Sequence, residues 1–248
     1  DRTGMYRLTF TQDSDADILV NLGGYIASTT MRNADVKKVF NNEIEGSFDT
    51  YGRHWGGPEN VKVHFVIRFD KDFERLDGWR DKERYSDIDT LQGSSIITRR
   101  HPKEELSYLD SPTSGVSAHY RVKTGDKICV RTAISYVSVD NARENLENDA
   151  VTWDFDLVKK TSQDEWNKWL GRIEVKGGSQ KQRTKFYTDL WHVLLGRHKI
   201  DDVNGEYPDL TEGERYYSYT RNIHPKTRTL PRGEDGKVLH HMYNSDAF

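Results

Sequence analysis

Residue periodicity changes once along this chain, near residue 140, and that change limits what it can fold into. From Met5 to about Val139, apolar side chains recur at every second position in many segments, and Gly, Asp, Asn and Pro punctuate the intervals. Val61, Val63, Phe65, Ile67 and Phe69 fall on one face of such a strand, with Lys62, His64 and Arg68 opposite. Ile128, Val130, Ile134 and Tyr136 share a face of another, and Tyr6 to Thr11 is a strand that needs a partner. Strands with one apolar face need a cover, and few helical patterns occur before residue 140. A second sheet is the economical cover, so the expected fold is mainly β with α, a large antiparallel β-sandwich first and helices after it. The charged, irregular segment from Gly78 to Pro112 reads as an excursion or a mobile loop.

Beyond residue 140 the spacing becomes helical. Asn141 to Asn148 predicts a short helix, and Trp166, Trp169, Leu170 and Ile173 follow the i, i+3, i+4, i+7 rule. Ser162 and Glu165 have capping-box spacing; a helix already running through Asp154 to Lys160 is the alternative, in which that spacing has no role. Gly177-Gly178 breaks the chain, and Ser179 with Gln182 offers a second capping box before Phe186, Leu190 and Leu194. Ile200 to His241 is loop and hairpin material, with turns at Asn204-Gly205 and Asp235-Gly236. Asn244 to Phe248 resembles the start of a helix, with Asn244 or Ser245 able to cap its free amides.

Charge and cysteine content narrow the function classes. A net charge of -3 leaves no cationic surplus for phosphates, so nucleic acid is not expected as a partner. One cysteine, Cys129, permits no intrachain disulfide, and its place in an alternating strand reads as a buried thiol. No apolar run reaches membrane-spanning length, and Asp1 to Gly4 carries no signal-peptide pattern. Six Trp and thirteen Tyr suit a protein that stacks rings on sugar faces, and equally one that uses them as core anchors.

Several local clusters have both a chemical and a plain reading. Asp13, Ser14, Asp15 and Asp17 place carboxylates as calcium loops do, but the glycine and glutamate of an EF-hand loop are missing; we read a strand-connecting turn. Thr50 to Gly57 combines aromatic, basic and flexible residues as a sugar-contacting loop would, or as a plain loop between strands. His240 and His241 stand beside Met242 to Asp246, but adjacent side chains in a strand point to opposite faces. Asp246 is either a helix cap or a ligand contact. No G-x-S-x-G elbow occurs, and the Gly-Gly pairs at 23, 56 and 177 lack a phosphate-loop pattern.

The run from Val130 to Leu146, VRTAISYVSVDNARENL, resembles the segment that ends the β domain of glycoside hydrolase family 92. Trp153-Asp154-Phe155-Asp156, the segment Trp166 to Val175, and Phe186 to His192 are similar to that family's two linking helices. Asp202 to Tyr207 and Asn244 to Phe248 resemble the approach to its catalytic domain. The resemblance implies an internal piece of an exo-α-mannosidase: a sandwich at 1–139 lacking its N-terminal part, linker helices at 140–199, and the opening segment of a truncated (α/α)6 barrel at 200–248.

It further implies that calcium binds the sugar's O2 and O3 hydroxyls while a Glu and an Asp hydrolyse terminal α-linked mannose with inversion. Those carboxylates and the calcium ligands are expected beyond Phe248, so no catalytic residue is carried over and the piece alone is expected to be inactive. The family's more common motif at the start of the barrel is Ser-Leu-Trp-Asp, whose Asp contacts the terminal mannose. It matches Asp246 here, with Ser245 in place of the Trp. Asp246 is therefore the expected hydroxyl acceptor, with Ser245 and Asn244 shaping the substrate pocket. Expected partners are mannose-containing glycans and the remaining catalytic domain of the same protein, in the periplasm or outside the cell. The competing reading is a non-catalytic carbohydrate-binding β-sandwich module.

Overall fold

Alternation in the sequence becomes two antiparallel sheets in the computed structural model, which describes residues 2–26, 29–54, 57–58, 61–93, 113–195, 197–209, 215–216, 219–220, 225–240 and 243–245. The strands of the first two-thirds are β1 (Thr3–Thr9), β2 (Ser14–Asn21), β3 (Gly24–Ile26), β4 (Thr29–Phe40), β5 (Glu43–His54), β6 (Gly57–Pro58), β7 (Val61–Phe69), β8 (Arg75–Arg80), β9 (Glu83–Tyr85), β10 (Thr90–Gln92), β11 (Ser114–Val122) and β12 (Lys127–Ser135). The larger sheet runs β1-β12-β7-β5-β4-β10, with β3 on β4 and β6 on β5; the smaller runs β2-β11-β8-β9.

The inner faces meet in one core. Ile44, Phe65, Ile67, Phe69, Ile128 and Val130 come from the larger sheet, and Leu76, Val116, Ala118, Tyr120 and Val122 from the smaller. The positions on Phe65 to Phe69 and on Ile128 to Val130 are those the sequence marked, and the sandwich follows because each sheet removes the other's apolar face from water. Phe69, fully buried, meets Phe73 edge-on at 6.0 Å between ring centroids. At Gly46 a Cβ would stand 1.9 Å from the carbonyl oxygen of Asp35, so β4 approaches β5 more closely there than a side chain allows.

The outer face of the larger sheet is covered by α1 (Val139–Asp149). Ser138 caps it by accepting a hydrogen bond from the Asn141 amide at 3.0 Å. Ala142 and Leu146 pack on Val66 and Ala133, which explains why Val66 is buried although it lies on the opposite side of β7 from Phe65. Arg143 binds Glu43 and Glu45, and Arg68 binds Glu43 and Glu147, so the fully buried Glu43 carboxylate holds two guanidinium groups.

Two longer helices follow, α2 (Phe155–Leu170) and α3 (Gln180–Leu195). Asp154 caps α2 through the Leu157 amide, so the helix does run through Asp154 to Lys160 and the Ser162/Glu165 spacing caps nothing. Ile173 lies past the helix end at Gly171. Ser179 and Gln182 form the expected capping box, with Oγ and Oε1 each accepting from the other residue's amide. Neither helix has a buried residue, and Leu157, Trp169, Trp191 and Val193 are exposed.

Two expectations need correction. Thr50 to His54 are the end of β5, because the β5–β7 ladder continues to Thr50 opposite Val61 and β6 then pairs with Arg53 and His54. Trp55 and Gly56 lie outside the described residues. Gly78 to Gln92 is also ordered into β8, β9 and β10: β8 pairs with the central strand β11, and β10 extends the larger sheet from β4. Charged residues on the outward face of these strands masked the pattern. The rest of that segment, 94–112, lies outside the described residues.

Candidate functional site

The chain leaves α3 through β13 (Arg197–Lys199) and enters a turn at Asp201 to Glu206 that faces the end of the sandwich. Beyond it lie β14 (Glu206–Pro208), β15 (Arg215–Tyr216), β16 (Tyr219–Thr220), β17 (Thr227–Thr229) and β18 (Tyr243–Ser245). Asn204-Gly205 makes the expected turn. Gly205 has φ of 90°, a left-handed conformation that suits glycine, and its amide donates to the Asp202 carbonyl at 2.9 Å.

Asp202 is the centre of this turn and is buried. Its Oδ2 accepts from the Ser135 hydroxyl at 2.6 Å and from Asn141 Nδ2 at 2.8 Å, and its Oδ1 accepts from Asn145 Nδ2 at 2.7 Å. Asn145 returns its Oδ1 to the Val203 amide at 2.8 Å, and Asn141 Nδ2 also reaches Glu206 Oε2 at 2.8 Å. Burial pushes the Asp202 carboxyl above the usual carboxylate range, while the hydrogen bonds from Ser135, Asn141 and Asn145 and the charge of Arg2 act against that rise. All three side-chain partners donate, which suits a carboxylate as the acceptor.

Its neighbour Asp201 faces another way. The fully buried Asp201 side chain binds His240 Nδ1 through Oδ2 and lies 3.7 Å from the Arg2 guanidinium, which also donates to the Asp201 carbonyl at 3.1 Å. Arg2, Ser135, Tyr136, Lys199, Asp201 and Asp202 line a cavity of about 260 Å³ at this joint. A larger hollow of about 600 Å³ beside Ser162, Asp164 and Trp166 is a groove on the exposed surface of α2 and shares none of these residues.

β13 pairs antiparallel with β18, placing Arg197 opposite Ser245 and His198 opposite Asn244. Asn244 and Ser245 therefore lie in a strand and not at a helix cap; the ladder with β13 sets their backbone. Asp246, the expected hydroxyl acceptor, and His241 lie outside the described residues. His240 is placed, and its partner is a carboxylate.

The remaining clusters are accounted for by packing. Asp13 closes a turn by accepting from the Thr124 amide at 2.7 Å and its hydroxyl at 2.9 Å, which hold its carboxyl below the usual range. Asp17 is on β2 and accepts from Ser117 across the sheet at 2.9 Å. Among the described residues, no three His, Cys, Asp or Glu side chains converge as metal ligands. Cys129 is buried, and burial raises its thiol pKa. Among the described residues no helix is long and apolar enough to cross a membrane.

Sequence reasoning had marked Asp202 to Tyr207 only as a resemblance and gave Asp202 no role. Asn141 and Asn145, four apart on one helix face, were the available sign, because two buried amides on a covered face require an acceptor.

A sandwich closed by one helix is followed by two helices with no buried residue and by a turn locked to the sandwich's last strand. Residues 1–135 match the Glycosyl hydrolase family 92 N-terminal domain, and residues 141–232 match the Glycosyl hydrolase family 92 catalytic domain. The chain belongs to this family.

Solved structures agree in fold. A family GH92 alpha-mannosidase from Bacteroides thetaiotaomicron superimposes with a TM-score of 0.68 at 21% identity, over 93% of this chain and 27% of that one. A family GH92 inverting mannosidase from Bacteroides thetaiotaomicron VPI-5482 gives 0.62 at 19% identity, over 92% of this chain and 27% of that one. The chain thus spans about a quarter of the length of these relatives. No curated protein matches it significantly.

Proposed function

We propose that the whole protein is an exo-acting, calcium-dependent glycosidase that removes terminal α-linked mannose from glycans with inversion, exported to the periplasm or beyond the cell. The observation that supports this reading is the tiling of the chain by the two family 92 domains in order, with the turn at Asp202 against the end of the first and the start of the second. The relatives' names supply the substrate and the stereochemistry: one is an alpha-mannosidase and another an inverting mannosidase.

In this reading residues 1–139 form the sandwich, 140–199 the linking helices and 200–248 the start of the catalytic domain. Asp246 accepts a hydroxyl of the terminal mannose, and Asn244 and Ser245 shape the pocket. The acid and base stand on other polypeptide of the same protein, about 6.5–9.5 Å apart so that a water fits between base and sugar. Calcium belongs to the proposal only as a property of the whole protein, with its ligands outside these residues.

The test is release of mannose from terminal α-mannosides by the whole protein, followed by nuclear magnetic resonance to read the anomer first formed. The expected result is β-mannose, release that stops on chelation, and a fall in kcat/KM of about 10- to 100-fold for Asp246→Ala. A whole protein that binds mannosides by calorimetry without cleaving them is a binding module, and the enzyme reading is then lost.

A further inference from the structure

The two family domains meet between residues 135 and 141, and one buried side chain from elsewhere in the chain bonds to both boundary residues. Ser135 ends β12 and with it the sandwich; Asn141 and Asn145 stand on α1; Asp202 comes from 67 residues beyond Ser135 and accepts from all three. The joint extends on either side. Ser135 Oγ accepts from the Val137 amide at 2.9 Å, and the Asp202 amide donates to the Glu206 carbonyl at 2.8 Å. Just before Asp202, Asp201 binds His240, and β13 carries the ladder to Asn244 and Ser245.

We propose that Asp202 is a positioning residue for the proposed mannose site: its carboxylate locks the turn after β13, and through the β13–β18 ladder the strand bearing Asn244 and Ser245, to the sandwich, and so holds that strand in place for substrate. Asp202 touches no substrate in this account. The role rests on the functional reading above, but the lock itself does not.

An asparagine at 202 has one acceptor oxygen where three donors converge, so its amide nitrogen must face a donor. In the full-length protein, Asp202→Asn is expected to speed hydrogen exchange about tenfold in peptides covering 197–206 and 236–245, with β7 unchanged. Ser135→Ala, which removes one of the three donors, gives a smaller change in the same peptides. Kinetics on a terminal α-mannoside, run well below the melting temperature, are expected to show kcat down about 10- to 100-fold and KM within about threefold.

A core variant with an equal loss of melting temperature, Phe69→Leu, keeps both constants at wild-type values. Wild-type exchange in both peptides of Asp202→Asn overturns the lock. Faster exchange with unchanged kcat overturns the positioning role. If the wild-type protein releases no mannose, the functional reading and the positioning role that rests on it both fall, and the exchange result still decides the lock. If Asp202→Asn does not fold, Ser135→Ala decides by the same two readouts.

Discussion

Phe69 and Phe73 meet at 6.0 Å between ring centroids inside the sandwich, and Trp166 and Trp191 meet at 6.2 Å where α2 passes α3. The two aromatic pairs are alike in spacing and steep angle, yet Phe69 is fully buried and Trp191 is 37% exposed. A sheet whose apolar face meets another sheet of the same chain is closed without further help. An amphipathic helix is closed only when its stripe is covered, and no residue of α2 or α3 is fully covered by the described residues: they meet each other at Trp166 and Trp191, and α2 meets β1 at Arg7. Helix α1 stands between these cases: it has its cover, and half of its buried side chains are amides committed to bonds. Contact geometry therefore says little about stability until the water around it is counted.

Substitutions can break that comparison. Phe69→Ala is expected to cost about 3–5 kcal/mol of unfolding free energy in a urea titration, because it removes transfer energy and leaves a cavity. Trp191→Ala in the same chain should cost less, about 0.5–1.5 kcal/mol, the worth of its edge contact with Trp166. Equal losses would mean that α2 and α3 are buried after all. Next in size, Glu43→Ala should cost about 3 kcal/mol, since Arg68 and Arg143 lose their shared buried partner and keep only Glu147 and Glu45. Ser138→Ala should cost about 1 kcal/mol through the loss of the α1 cap, read as a shift in the denaturation midpoint.

The smallest effect is a dependence on pH. Burial, helped by the charge of Lys62 and opposed by Asp49, pulls His64 below its ordinary value of 6.5. The unfolded chain then binds more protons than the folded one between the two values, so the stability is full above 6.5 and is lost as pH falls toward the folded value. His64→Gln should flatten the denaturation midpoint across that window, and an unchanged slope would put His64 in water.

Much of the architecture was legible in the sequence. The alternation of Val61 to Phe69 and of Ile128 to Ile134 located strands β7 and β12 and their inner faces. The Ser179/Gln182 box located the start of α3, and Asn204-Gly205 its turn. The end of β5 was missed because Gly52 and the charged and aromatic residues beside it look like a loop, while the partners that make them a strand lie on β4 and β6. Strands β8 to β10 were missed for a similar reason: their outward residues are charged, and only pairing with β4 and β11 defines them.

For the candidate site the division is sharper. Motif order from residue 130 onward named the family, and it pointed to Asn244, Ser245 and Asp246. The clasp of Asp202 by Ser135, Asn141 and Asn145 was not visible, although every member is a common polar residue in plain view. By itself the sequence determined which faces of β7 and β12 are apolar and where α3 begins, because those depend on neighbours within one turn or one strand. Which carboxylate seals the joint between the domains was decided only by the tertiary structure, since a hydrogen bond across 67 residues leaves no period in the chain.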